Sequence, residues 1–232
     1  MTAPTYHNDI TVKLIRHCAS DESVIQAAQV SAKGENNPDT VPERLIKALA
    51  RHKHGSPFEH NMITMYVEAP IFVIREWQRH RMGSFNEMSG RYTTLEPKFY
   101  IPSEDRNVSN AGTKMEPDFS VSNDRLNALT WSIMIRNSYD SWYYYEELLR
   151  KGVANEVARM VLPLNIYTQM YWTVNARSLM NFISLRVESE DSVVKSYPQY
   201  EIQMGAEQVE AIFAELMPIS YEAFLLNGRV AP

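Results

Sequence analysis

The chain holds one cysteine, Cys18, among 232 residues, so neither an intramolecular disulfide nor a thiolate metal cluster is open to it. Glycine is scarce as well. The eight glycines form neither GxGxxG nor GxxxxGK[ST], which removes the two best-known glycine-rich nucleotide loops. No apolar run is long enough to span a membrane and no signal-peptide pattern opens the chain, so a cytoplasmic protein without a membrane partner is expected. An excess of basic residues is also missing: 23 Lys and Arg stand against 28 Asp and Glu, for a formal net charge of −5. Non-specific nucleic-acid binding usually needs a basic face, so no nucleic-acid partner is expected. Any anion must be met by a local group of arginines. Histidines are present, among them His52, His54, His60 and His80, but not at HExxH or comparable spacing. No metal is expected.

What is present is an ordinary globular balance of 44% hydrophobic and 22% charged residues. A chain of this length buries roughly 70% of its unfolded surface, enough for a core. The alternation in ITVKLIR predicts a strand over Ile10–Arg16, and Ser20 and Asp21 predict a capped helix over Glu22–Ala32. Cys18 follows the strand and is expected to be a small buried hydrophobe. Helices are predicted after Pro42 (ERLIKALARH), over IFVIREWQRHR from Ile71 to Arg81, from Asn123 to Arg150, over NEVARMVL, over ARSLMNFISL and over a closing EIQMGAEQVEAIFAEL. A strand is predicted over NMITMYVEA and a strand or extended piece over NIYTQMYWTV, with a surface excursion from Leu95 to Ser122 and an acidic loop at ESEDS. The aromatic residues of the long helix read as core or subunit contacts. Nothing marks a linker or repeat, and the whole, residues 1–232, reads as one mixed domain with helices in excess.

The most unusual segment is RHRMGSFNEMSGRY, from Arg79 to Tyr92. Its density of polar groups is too high for a core segment without partners. Its two glycines let backbone approach something closely. Arginine forks match pairs of phosphate oxygens, so the segment suits an anionic, heteroatom-rich ligand. A solvated charged turn is the competing reading.

RHR followed by seven residues and a serine, Arg79-His80-Arg81 through Ser89, resembles the signature of the flavin-dependent thymidylate synthases. SPFEH (Ser56 to His60), APIFV (Ala69 to Val73), EVARMVLPLN (Glu156 to Asn165) and WTVNARSLMNF (Trp172 to Phe182) resemble further blocks of that family, in its order. The resemblance covers the chain from about Val30 to Arg186. It implies an α+β fold, a single mixed domain with helices in excess around an antiparallel sheet. It implies reductive methylation of dUMP to dTMP, with FAD as cofactor and NADPH and 5,10-methylenetetrahydrofolate as co-substrates. Active sites would be shared between subunits of a homotetramer.

The same resemblance implies site residues. Ser56, Arg79, His80, Arg81, Glu87, Asn175, Arg177 and Asn181 match FAD positions, and His54 a histidine near the flavin. Gln78, Arg79, the run Glu87, Met88, Ser89, Gly90 and Arg91, together with Arg159 and Arg186, match the dUMP site. Arg186 matches the arginine that stabilises charge on the uracil ring. The i to i+4 spacing of Arg177 and Asn181 puts both on one helix face. The chain departs at Glu190, where some relatives carry histidine, and in the longer stretch from Ser189 to Gln199. Cys18 lies far in sequence from every polar block, a poor setting for an activated thiolate. Three alternatives stand beside this reading: a hydroxymethyl product, a silent nucleotide-binding module, and a metal-dependent phosphohydrolase, for which clustered ligands are missing.

Overall fold

In the computed structural model, residues 2–31 and 41–232 are described. The fold is α+β, with an antiparallel four-stranded sheet and eight α-helices among the described residues. The strands are β1 (Thr5–His7), β2 (Thr11–His17), β3 (Ile63–Pro70), β4 (Ser84–Glu87), β5 (Lys98–Tyr100) and β6 (Tyr167–Val174). The four-stranded sheet runs in the order β2-β3-β6-β4, and β1 pairs with β5 in parallel, Thr5 opposite Lys98. The helices are α1 (Asp21–Val30), α2 (Pro42–Arg51), α3 (Ile71–Trp77), α4 (Asp124–Arg150), α5 (Asn155–Ala158), α6 (Ala176–Arg186), α7 (Tyr200–Leu216) and α8 (Pro218–Leu226).

The chain divides into two compact units, and β3, β4 and β6 each carry residues of both. The first comprises Met1–Ile10, Glu68–Glu76 and Glu87–Met170. Its core is Phe99, Trp142, Tyr145, Ala158 and Ile166, with Ile71, Leu95 and Leu149 packed against them. Two anchors tie α4 into this core. Trp142 Nε1 donates to the Thr2 carbonyl at 2.9 Å, and the Tyr145 hydroxyl accepts the Leu95 N–H at 3.1 Å. Both aromatic side chains thus bury their rings without stranding a polar atom.

The second unit comprises Thr11–Val67, Trp77–Asn86 and Tyr171–Pro232. Here α2 packs on α8, and α7 on α6, α8 and β2. Trp77, Trp172 and Phe182 form a fully buried aromatic cluster, with ring centroids 4.6 to 5.4 Å apart.

Local signals explain three helix starts. Ser20 caps α1 by accepting the Ser23 N–H, and the Ser23 hydroxyl accepts the Ser20 N–H in return. Asn123 caps α4 and Asn175 caps α6 by accepting the Leu126 and Ser178 N–H groups. The helix expected over Glu22–Ala32 runs to Val30, and Ala32 lies outside the described residues.

Several expectations need correction. Cys18 is exposed, not buried: it follows β2, which lies at an edge of the sheet and is exposed from Lys13 onward. The helix expected over Ile71–Arg81 stops at Trp77, leaving Arg79-His80-Arg81 outside it. The helix expected over NEVARMVL is a single turn followed by a 3-10 turn, Arg159–Val161. Pro163 forces Leu162 into an extended conformation and so ends it. The excursion after Leu95 contains β5, whose Phe99 and Tyr100 are buried. Finally, α8 follows the helix that was expected to close the chain. Its first-turn N–H groups are capped by Asp21, whose carboxylate accepts from Ile219 N and Ser220 N at 2.8 Å each.

Candidate active site

In the second unit, α6 carries Arg177, Asn181 and Arg186 of the expected residues, and Asn175 stands just before it. Asn175 is the N-cap, so its Oδ1 is committed to the helix. Arg177 and Asn181 share one face, and the Asn181 amide donates to the Arg177 carbonyl at 3.3 Å. The Arg177 guanidinium is held from two sides: Nε donates 2.7 Å to the Pro232 carbonyl, and Nη1 pairs with the Glu59 carboxylate. Glu59 belongs to the short 3-10 turn Ser56–Glu59, which Gly55 precedes. A Cβ on Gly55 would lie 2.5 Å from Arg177 Nε and 2.6 Å from the Pro232 carbonyl, so only glycine leaves room for this clasp. Ser56 and His54 are exposed beside it.

Gln78, Arg79 and Arg81 are exposed on the segment after α3. Arg79 and Arg81 have no side-chain partner among the described residues. Arg81 lines a cavity of about 390 Å³ with Glu59, Asn61, Gly83, Ser84 and Asn175. Gly83, whose lack of a side chain was expected to let backbone approach something closely, lies against the protein itself. A Cβ there would stand 2.8 Å from Trp172 Nε1.

His80 is half-buried, its ring edge-on to Phe182 at 4.8 Å between centroids. Its Nε2 accepts the Nε–H of Arg186, the last residue of α6, at 3.1 Å. Burial first, and the Arg186 charge second, push the imidazole down to about 4, so it is neutral at physiological pH.

In the first unit, the run from Glu87 to Arg91 turns sharply after β4. Glu87 accepts the Thr168 hydroxyl at 3.0 Å and Met88 N donates to the Gln169 carbonyl at 2.8 Å, which pins the start of the turn on β6. The Ser89 carbonyl accepts from Tyr92 N and Thr93 N, and its hydroxyl accepts from Arg91 N. Gly90 is buried, and a Cβ on it would meet Arg159 Cδ and Leu95 at 3.3 Å, so the turn lies directly on Arg159. Arg91 pairs with Glu156 at 3.0 Å, whereas Arg159 is exposed with no side-chain partner among the described residues.

The fold thus assembles two groups, each within one unit. One joins His80 and Arg186, and gathers Arg81, Asn175 and Arg177 around Glu59. The other joins Glu87 to Arg91 with Arg159. Sequence reasoning named most of these but missed Glu59, Asn61 and Glu156. Glu59 and Glu156 lay inside recognised blocks, SPFEH and EVARMVLPLN, where their pairing with arginines could have been suspected. Nothing in the sequence singled out Asn61, which is buried and accepts the Ala176 N–H at 2.8 Å.

On this α+β fold, Arg79, Arg81 and Arg159 are exposed with no side-chain partner among the described residues, an arrangement suited to an anionic ligand. Residues 13–219 match the family model described as thymidylate synthase complementing protein. The flavin-dependent thymidylate synthase of Streptomyces avermitilis is 48% identical over 99% of this chain and 96% of its own length. That of Tropheryma whipplei strain TW08/27 is 45% identical over 99% and 98%. A UMP/dUMP methylase, PolB from Streptomyces cacaoi, solved bound with 5-Br UMP, superposes with a TM-score of 0.93 at 40% identity over the whole of both chains. The chain belongs to the flavin-dependent thymidylate synthase family.

Proposed function

We propose that this protein methylates dUMP to dTMP, with FAD as cofactor, 5,10-methylenetetrahydrofolate as one-carbon donor and NADPH as reductant. The observation that carries the reading is the Arg186 guanidinium, held by a neutral histidine within a chain that belongs to this family. Its work is electrostatic. A positioned cation stabilises negative charge developing on the uracil ring and so makes the methyl-accepting carbon more nucleophilic.

The donor set fits a flavin dinucleotide. Arg79 and Arg81 lack side-chain partners among the described residues, and Arg81 shares a cavity with Asn175 and Asn61, whose Nδ2 is buried without a hydrogen-bond partner. A diphosphate takes such forks two oxygens at a time. Arg79, His80, Arg81, Asn175, Arg177 and Asn181, with Ser56, His54 and Glu87, would hold it; when bound, the reduced flavin supplies hydride. Arg177 neutralises Glu59, the carboxylate that would otherwise repel the diphosphate from this cavity.

Gln78, Arg79, Glu87, Met88, Ser89, Gly90, Arg91, Arg159 and Arg186 are the proposed dUMP residues. In this role Arg91 and Arg159 hold the phosphate while the Ser89-Gly90 turn offers backbone N–H groups. The protein works as a homotetramer with shared active sites, in the cytoplasm. Among the described residues no helix is long and apolar enough to cross a membrane.

A second reading has support in the 0.93 TM-score to a UMP/dUMP methylase: the ribonucleotide serves as substrate beside the deoxyribonucleotide. The deciding experiment incubates the purified protein with FAD, NADPH and methylenetetrahydrofolate, and either dUMP or UMP, and weighs the product. A gain of one methyl on dUMP is expected. No product from either nucleotide would end the proposal, methylated UMP would broaden it, and a hydroxymethyl mass would change the reaction.

A further inference from the structure

Arg186 and His80 meet through atoms that leave little freedom to either. Phe182 and Arg186 lie one helical turn apart on α6, so the face that offers the Phe182 ring to His80 also offers the Arg186 Nε–H. Phe182 is fully buried and wedged between Trp77 and Trp172, which makes it a rigid seat for the imidazole. The His80 N–H donates to the Trp77 carbonyl at 3.1 Å, fixing the backbone from the other side. Because Nε2 accepts a hydrogen bond from an arginine, which has no acceptor of its own, the neutral imidazole carries its proton on Nδ1.

We propose that His80 is a positioning residue for Arg186: its Nε2 holds the Arg186 Nε–H and thereby sets the plane in which the guanidinium addresses the uracil ring. A free arginine would sample many rotamers, and each misdirected one would put the charge out of line with the ring. The His80–Phe182 seat removes that freedom before substrate arrives. The inference rests on the catalytic role proposed for Arg186 and adds to the cofactor contact proposed for His80.

The test combines a measurement on the unmodified protein with a mutational cycle. In isotope-labelled protein without substrate, a through-hydrogen-bond coupling between Arg186 Nε and His80 Nε2 is expected, with the histidine proton on Nδ1. Absence of both would overturn the proposal. In kinetics at flavin and dUMP concentrations saturating for each variant, His80→Leu should lower kcat about ten- to a hundred-fold, since misplacing a catalytic group by about 1 Å can cost about a hundred-fold. His80→Gln, whose side-chain oxygen reaches about as far as Nε2, should recover most of that loss. The His80→Leu/Arg186→Ala double variant should be no slower than Arg186→Ala alone. Independent, multiplying losses, or full recovery of His80→Leu by added flavin, would overturn the positioning role and leave the cofactor contact as its explanation. An Arg186→Ala enzyme with undiminished kcat would instead overturn the role of Arg186 itself, and the inference with it.

Discussion

Arg177 occupies the space that a side chain at Gly55 would need, its Nε 2.5 Å and its Cζ 2.6 Å from where a Cβ would stand. Gly55→Ala is therefore expected to push the guanidinium off the Pro232 carbonyl and Glu59. Overpacking of this kind costs about 1 to 3 kcal/mol. The variant should melt lower and bind FAD several-fold more weakly. Wild-type values for both would mean that Arg177 moves aside freely and that the clasp is incidental.

Arg186→Ala should lower the rate of methylation about a hundred- to a thousand-fold at saturating dUMP, the usual cost of losing a positioned electrostatic stabiliser. FAD binding should change little. Arg186→Lys keeps the charge but not the planar fork, and should restore only part of the rate. Single-turnover oxidation of reduced flavin in the presence of dUMP and folate reads this step directly.

Arg91 and Glu156 form an ion pair with side chains 53% and 52% exposed, worth no more than about 1 kcal/mol of stability. Arg91→Ala should leave the melting temperature almost unchanged while raising the KM for dUMP at least about tenfold, through a lost charged hydrogen bond to phosphate. An unchanged KM would remove Arg91 from the nucleotide site.

The imidazole of His80 takes up a proton less readily in the folded protein, at about 4, than its ordinary value of 6.5. The unfolded chain therefore binds more protons between these values, so the stability contributed by neutral His80 is complete above about pH 6.5 and is withdrawn as the pH falls toward 4. Thermal melts across that window should slope downward on acidification, and His80→Gln should flatten the slope. An identical slope in the variant would locate the acid sensitivity elsewhere.

Cys18→Ala should leave dTMP formation intact, because hydride delivery from a flavin needs no thiolate and Cys18 sits exposed at the end of β2. Loss of activity in a folded, FAD-bound variant would falsify the flavin-only route.

Where order along the chain carries the information, the sequence was enough by itself. The alternation of ITVKLIR, the cap at Ser20 and the long periodic run of α4 each depend on neighbours a few residues away. The motif blocks likewise placed the chain in its family without a structure, because residue type and spacing survive in the one-dimensional record. Tertiary structure decided what depends on distant partners. α8 is capped by Asp21, 198 residues away, and β5 pairs with β1, more than 90 positions earlier in the chain. Cys18 is exposed because β2 lies at a sheet edge, a position that its apolar neighbours do not encode. The same holds for chemistry. Whether an arginine is held by a carboxylate, as Arg177 is by Glu59, or by a neutral histidine, as Arg186 is by His80, is fixed by burial and by the approach of segments about 100 residues apart. Charge and hydrogen-bond capacity are written in the residues; which of them face one another is written only in the packing.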